Sequence, residues 1–204
     1  MGYASRTGGL RNLAILRDHG WRLMVSASGR WRGAAALGFA YALDNGAWTA
    51  YQSGQPFDVG AFEGAVSELG SGADFVVVPD IVCGGLDSLR LSEAWLPKLD
   101  GIGLRRVIAV QDGFTAEDVR PLLGPAVGIF VGGGTEWKER TLSMWGELAR
   151  ERGAYLHVGR VNSQRRIQLC AMAGADSFDG TSVSRYAVTM RRLDPARRQL
   201  AWVM

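Results

Sequence analysis

Three aspartates stand where short apolar runs give way to glycine or turn-forming residues. Asp44 closes Tyr41-Ala42-Leu43 and precedes Asn45-Gly46, Asp80 follows Val76-Val77-Val78-Pro79, and Asp179 follows Ser177-Phe178 and precedes Gly180-Thr181-Ser182. Singly, each reads equally well as a turn or capping residue, because Asp bonds nearby backbone and Asn-Gly turns readily. Together they suit nucleophilic and acid–base chemistry, in which one carboxylate attacks and another carries the proton. Gln111 ends a fourth apolar run, Val107-Ile108-Ala109-Val110, and Gly132-Gly133-Gly134 ends a fifth. A triple glycine ahead of a helical segment suits bare amides facing an anion or a flat ligand, and equally a plain tight turn. It has neither the Lys-Ser/Thr of a Walker loop nor the spacing of a dinucleotide fingerprint. His19 and His157 neighbour no serine in an elbow motif, which argues against serine-hydrolase chemistry, and both histidines read as structural.

Something must hold these groups together, and the alternation of β-rich runs with helical periodicity supplies it. The pattern predicts strands at Arg22–Ala27, Ala40–Asp44, Asp74–Pro79, Arg106–Gln111, Val127–Val131, Tyr155–Val158 and Asp176–Asp179. Helices are predicted at Val59–Gly70, Asp87–Lys98, Ala116–Leu123, Glu136–Arg152 and Ser163–Ala173. Near-continuous apolar strands such as Phe75-Val76-Val77-Val78 require a parallel sheet covered on both faces. The expected fold is therefore α/β, a compact (β/α) barrel of the TIM type with seven or eight parallel strands, filling residues 1–204 as one domain. Seven strands are legible, and an eighth must come from the chain ends or be missing. In such a barrel all strand ends open on one mouth.

Composition narrows the classes. With 204 residues and 47% apolar content the chain can bury a real core, which excludes a disordered segment or a disulfide-framework miniprotein. Cys83 and Cys170 are too few for a four-thiolate zinc site, so no metal is expected. The longest apolar runs, Phe75–Pro79 and Ala126–Val131, are strand-sized against the roughly 20 residues of a membrane span, and Arg6, Arg11, Arg17 and Asp18 interrupt the opening residues. A cytoplasmic protein with no membrane partner is the expectation. Only Lys98 and Lys138 are lysines, leaving 21 of the 23 cationic side chains to arginine. A GC-rich genome would produce that bias. The clustering of Arg30 and Arg32 around Trp31, of Arg165 with Arg166, and of Arg191, Arg192, Arg197 and Arg198 also suits a polyanionic partner.

The segment Gly174-Ala175-Asp176-Ser177-Phe178-Asp179-Gly180-Thr181-Ser182-Val183-Ser184-Arg185 resembles the G-x-D-x-F-D-x-x-x-P-x-R signature of guanine transglycosylases, the queuine and archaeosine tRNA-modifying family. Leu43-Asp44-Asn45-Gly46-Ala47-Trp48 is similar to their L-D-S-G-G-F, Val110-Gln111-Asp112-Gly113 to V-Q-G-G, Val131-Gly132-Gly133 to I-G-G, and Tyr155-Leu156-His157-Val158-Gly159 to R-Y-L-M-G. The five stand in order across roughly residues 20 to 190. The resemblance implies a barrel enzyme that exchanges guanine for a 7-deazaguanine base through a covalent glycosyl-enzyme intermediate, with no cofactor. It places Asp179 as nucleophile, Asp44 as general acid/base, and Asp80, Gln111 and Gly133 around the base. Arg160, Arg185, Arg191 and Arg192 become the expected nucleic-acid contacts. Four positions depart from the pattern: Val183, Gly180, Ala47 and Asp112 replace the family's proline, cysteine, second glycine and a glycine of the glutamine motif. The cysteine-rich zinc region that helps tRNA-acting members hold tRNA is missing from this sequence. The chain thus looks more like short phage and bacterial relatives that place bases such as preQ0 in DNA, in the host cytoplasm if phage-encoded. A reduced tRNA-acting enzyme and a non-catalytic nucleic-acid-binding barrel subunit are the alternatives, and homodimerisation is left open.

Overall fold

Eight short parallel strands hydrogen-bond in chain order and close on themselves: β1 Gly2–Ser5, β2 Arg22–Ser26, β3 Tyr41–Asp44, β4 Val76–Val77, β5 Arg106–Val110, β6 Val127–Val131, β7 Leu156–Val158 and β8 Ser177–Gly180. The structure is a computed structural model describing residues 1–5, 9–29, 31–101, 103–185, 190, 192–195 and 198. Arg30, Arg191 and Arg197 lie outside the described residues, as does the side chain of Arg185. The eighth strand is the N-terminal β1, whose Tyr3 pairs with Arg22 on one side and Asp179 on the other. Four residues reading Gly-Tyr-Ala-Ser carry too little pattern to announce a strand; the two open edges of β2 and β8 make it one.

The surrounding helices are α1 Leu10–Asp18, α2 Ala47–Gln52, α3 Val59–Leu69, α4 Leu86–Trp95, α5 Ala116–Val119, α6 Thr135–Arg152, α7 Gln164–Met172 and α8 Ser182–Arg185. Local chemistry starts several of them. Asp58 accepts from Ala61 N–H at 2.9 Å, Ser163 accepts from Arg166 N–H, and Thr115 with Asp118 forms a reciprocal capping box. Proline shortens two of the expected helices. α4 ends before Pro97, and the Ala116–Leu123 segment breaks into α5 and a 3₁₀ turn at Arg120–Leu122 that contains Pro121.

Two apolar layers explain why the strands read as continuous hydrophobic runs. Outward residues such as Val76, Val78, Ile108, Val110, Ile129, Val131, Leu156 and Val158 pack under the helices with Leu16, Phe62, Trp145 and Ile167. Inward residues Tyr3, Ala42, Phe75, Val77, Val107 and Tyr155 fill the barrel itself, with Met24 and Phe130 against them. Each fully buried Val, Leu or Ile here contributes about 1.5–3 kcal/mol relative to exposure. The β4 strand is only two residues long, yet its ladder extends beyond it: Asp74 N–H donates to Tyr41 C=O and Val78 N–H to Val107 C=O, until Pro79 ends the series of donors.

Candidate functional site at the barrel mouth

Because all eight strands run the same way, their C-terminal ends share one rim. Asp44 is the last residue of β3, Asp80 lies three residues beyond β4, Gln111 directly follows β5, Gly133 follows β6, Arg160 follows β7 and Asp179 lies in β8. The sequence-predicted residues Asp44, Asp80, Gln111, Gly133, Arg160 and Asp179 are therefore gathered on one face.

Their electrostatics are coupled. Burial pushes the Asp44 carboxyl up to about 7, and the neighbouring Asp179 and Asp80 charges add to that effect. Bonds from the Ser26 side chain and from Gly46 N–H, at 3.2 Å, oppose it only in part. Asp80 is also raised by burial, against a 2.7 Å bond from Asn45 Nδ2. That amide also donates to Val78 C=O, and Asn45 Oδ1 accepts from Ala47 N–H, so Asn45 is locked between β3 and β4. Gln111 is buried and donates from Nε2 to Ile81 C=O at 2.9 Å. Asp44 thus exchanges its proton near neutral pH with Asp179 and Asp80 close by, an arrangement suited to nucleophile-plus-acid chemistry.

Asp179 is held from two sides. His157 Nε2 lies 3.0 Å from its Oδ2, and Arg160 N–H reaches Oδ1 at 3.3 Å. His157 is fully buried, stacked on Phe130 and edge-on to Tyr3. Burial lowers its pKa, keeping the ring neutral despite the adjacent carboxylate. The sequence reading of His157 as structural is thus half the answer: it is a core residue whose far edge touches the mouth. Lys138, one turn into α6, is likewise buried, and desolvation lowers its pKa to about 8. Its Nζ donates to Gly159 C=O at 2.5 Å and so secures the turn that carries Arg160. Arg160 adopts a left-handed φ of +58°, bonds Gly133 C=O, and lays its guanidinium 4.6 Å over the Trp48 ring. Trp48 stacks in turn on the exposed Tyr51. In the sequence this aromatic and cationic rim is legible only as a Trp beside Asp44 and an Arg after Gly159.

The other arginine assignments divide. Arg192 is exposed and its C=O accepts from Gln164 Nε2 at 2.8 Å, whereas Arg198 pairs with Asp194 at 2.8 Å, and Arg165 and Arg166 both pair with Glu139. Those pairs offset part of the basic patch inferred from clustering. Arg185 ends α8, directly beyond β8. Among the described residues no three His, Cys, Asp or Glu side chains are grouped to hold a metal ion, and no helix is long and apolar enough to cross a membrane.

Closed parallel sheet, helical jacket and polar C-terminal mouth together define a (β/α)₈ barrel. No protein-family model and no curated protein matches the chain. Solved structures share the fold. Tryptophan synthase from M. tuberculosis superposes with a TM-score of 0.59 at 16% identity, over 98% of this chain and 90% of its own. A protein described as a putative fructose-1,6-biphosphate aldolase from Coccidioides immitis gives 0.61 at 13% identity, over 98% and 86%. A mandelate oxidase gives 0.57 at 14% identity, over 94% of this chain and 65% of its own. At such identities the likeness is one of fold, and function must be argued from the mouth itself.

Proposed function

We propose that this barrel is a pentosyltransferase, a guanine transglycosylase that exchanges guanine in DNA for a 7-deazaguanine base. The observation that carries the reading is the Asp44–Asp179 pair, one carboxyl raised to about 7 by burial and its acidic neighbours and the other held by His157 Nε2 and the Arg160 N–H. In the first step an Asp179 oxygen attacks C1′ of the target nucleotide, the C1′–N9 bond breaks, and Asp44 gives its proton to the departing guanine. The incoming 7-deazaguanine then loses its N9 proton to Asp44, N9 attacks C1′, and the Asp179 ester bond breaks. Two inversions retain configuration.

Asp80 would accept from N1–H and the exocyclic amine of the base, the paired-donor edge that a carboxylate fits, with Gln111 and the Gly133 backbone on the other edges. A guanine in duplex DNA must first be flipped out, which costs a few kcal/mol. Arg160, Arg185 and Arg192, with Arg191, would offset that cost through phosphate contacts, and binding would weaken steeply with salt. The arginine-rich composition and the Arg160–Trp48–Tyr51 rim support a nucleic-acid substrate.

The test is nucleoside mass spectrometry of DNA and tRNA after coexpression with 7-deazaguanine synthesis genes. A deazaguanine in DNA with wild type, absent with Asp179→Asn, is the expected result. Its appearance in tRNA alone would favour a tRNA-acting enzyme. Retained DNA binding with no modified base in either polymer would favour a non-catalytic subunit.

A further inference from the structure

Period-two alternation puts Tyr155, His157 and Gly159 on the inward side of the β7 line, and Ser177 and Asp179 on the inward side of β8. Strands β7 and β8 pair with His157 opposite Ser177. The four polar side chains consequently form one line through the barrel. Tyr155 O–H donates to Ser177 Oγ at 2.7 Å, Ser177 Oγ lies 2.7 Å from His157 Nδ1, and His157 Nε2 lies 3.0 Å from Asp179 Oδ2.

Donor counting gives this line a direction. Tyr155 donates to Ser177 Oγ, and with the Ser177 proton turned to Nδ1 that nitrogen is the bare one of a neutral ring. The ring proton then sits on Nε2 and can only be donated to Asp179. With Arg160 N–H on Oδ1, each carboxylate oxygen faces a donor. A proton on Oδ2 would confront the Nε2–H head-on. We infer that His157 is a positioning residue that holds Asp179 as an ionised carboxylate in a single orientation, so that the proton at the mouth is carried by Asp44. The aromatic cage of Tyr3, Phe75 and Phe130 around the imidazole prevents it from turning to another partner.

The charged and titratable groups that face Asp179 come from four other elements. They are Asp44 on β3, Lys138 on α6, His157 and the Arg160 turn at the end of β7, and Cys170 on α7. The chain's N-terminal ammonium and Lys138 act on His157 itself, and both disfavour an imidazolium, as burial does.

Two arms test the inference, and only the second rests on the glycosyl-transfer reading. With just two histidines in the chain, ¹⁵N-histidine NMR of wild type against a His19→Gln variant isolates the His157 ring. The expected spectrum is a neutral Nε2–H tautomer throughout about pH 6 to 8. An Nδ1–H tautomer, or an imidazolium at neutral pH, overturns the inference whatever reaction the protein performs. In the second arm, trapping of the covalent enzyme–DNA adduct is timed across pH. His157→Leu should slow it about 10- to 100-fold, the scale of one hydrogen bond to a charged group, and move the acid limb of the profile to higher pH. His157→Gln, whose amide nitrogen can replace the Nε2 donor, should restore most of the rate and the original limb. A Leu variant as fast as wild type, or a Gln variant as slow as a folded Leu variant, refutes the role. Should His157→Leu fail to fold, the rate and limb of His157→Gln against wild type decide this arm. If wild type forms no adduct, the transglycosylase reading fails and the NMR arm alone decides.

Discussion

Replacing Asp44 by asparagine should stabilise the protein at alkaline pH and, under the proposed reaction, slow base exchange. The Asp44 carboxyl is raised from 3.8 to about 7 by burial and by the charges of Asp179 and Asp80. Between those two values the folded state holds a proton that the unfolded chain has released, so stability falls as pH rises through that window. Each pH unit is worth about 1.4 kcal/mol, giving a ceiling of about 4 kcal/mol that solvent at the open mouth reduces. The substituted amide has no proton to lose and keeps an oxygen for the Gly46 N–H. Urea unfolding of wild type and Asp44→Asn at pH 4, 6 and 8 measures the effect. The two should agree within about 0.5 kcal/mol at pH 4, and the variant should gain by about 2–4 kcal/mol at pH 8. Titration of His157 is common to both proteins and largely cancels in the difference. Base exchange by the variant should fall by about 10² to 10⁴, the usual loss of a general acid/base. A pH-independent difference between the two proteins would refute the raised Asp44 carboxyl, and wild-type turnover would remove Asp44 from the chemistry.

Gly159→Ala places a methyl 2.8 Å from two Phe130 ring carbons and 3.4 Å from Asp179 Oδ2, so Phe130 must press on the His157 ring it stacks against. A stability loss of about 1–3 kcal/mol with reduced turnover is expected by urea melts and adduct trapping; an unchanged midpoint contradicts it. Gly146→Ala is the contrasting case, because its new Cβ would lie 2.0 Å from the Ala173 carbonyl oxygen, a backbone atom under α6 and away from the mouth. It should lower Tm by at least about 2–4 °C per kcal/mol lost while leaving the rate per folded molecule intact. For Arg160→Gly, which keeps the left-handed backbone without strain, the slope of log affinity for duplex DNA against log salt should shrink by about one. An unchanged slope would place Arg160 off the phosphate path.

Much of this architecture is written in the chain as a one-dimensional pattern. Runs such as Val107-Ile108-Ala109-Val110 are apolar on both faces, and only a sheet buried on both sides tolerates that; Asp58, Thr115 and Ser163 announce their helices through local side-chain bonds. Parallel strand order then sends Asp44, Asp80, Gln111 and Asp179 to one rim, so the acidic mouth is readable too. What sequence alone does not convey is anything that depends on which strands become neighbours. Gly2–Ser5 is a strand because β2 and β8 offer it two edges, and the helices α1, α2 and α8 are additions that only the structure reveals. Arginines that look free in the sequence are paired across helices, as Arg165 and Arg166 are with Glu139. The three β7 residues Leu156-His157-Val158 are all buried, so no polar-apolar alternation marks which of them faces the barrel. Only closure of the sheet turns His157 inward, beside Ser177 and under Asp179, because a hydrogen bond between residues 20 apart on neighbouring strands is fixed by register and not by local propensity.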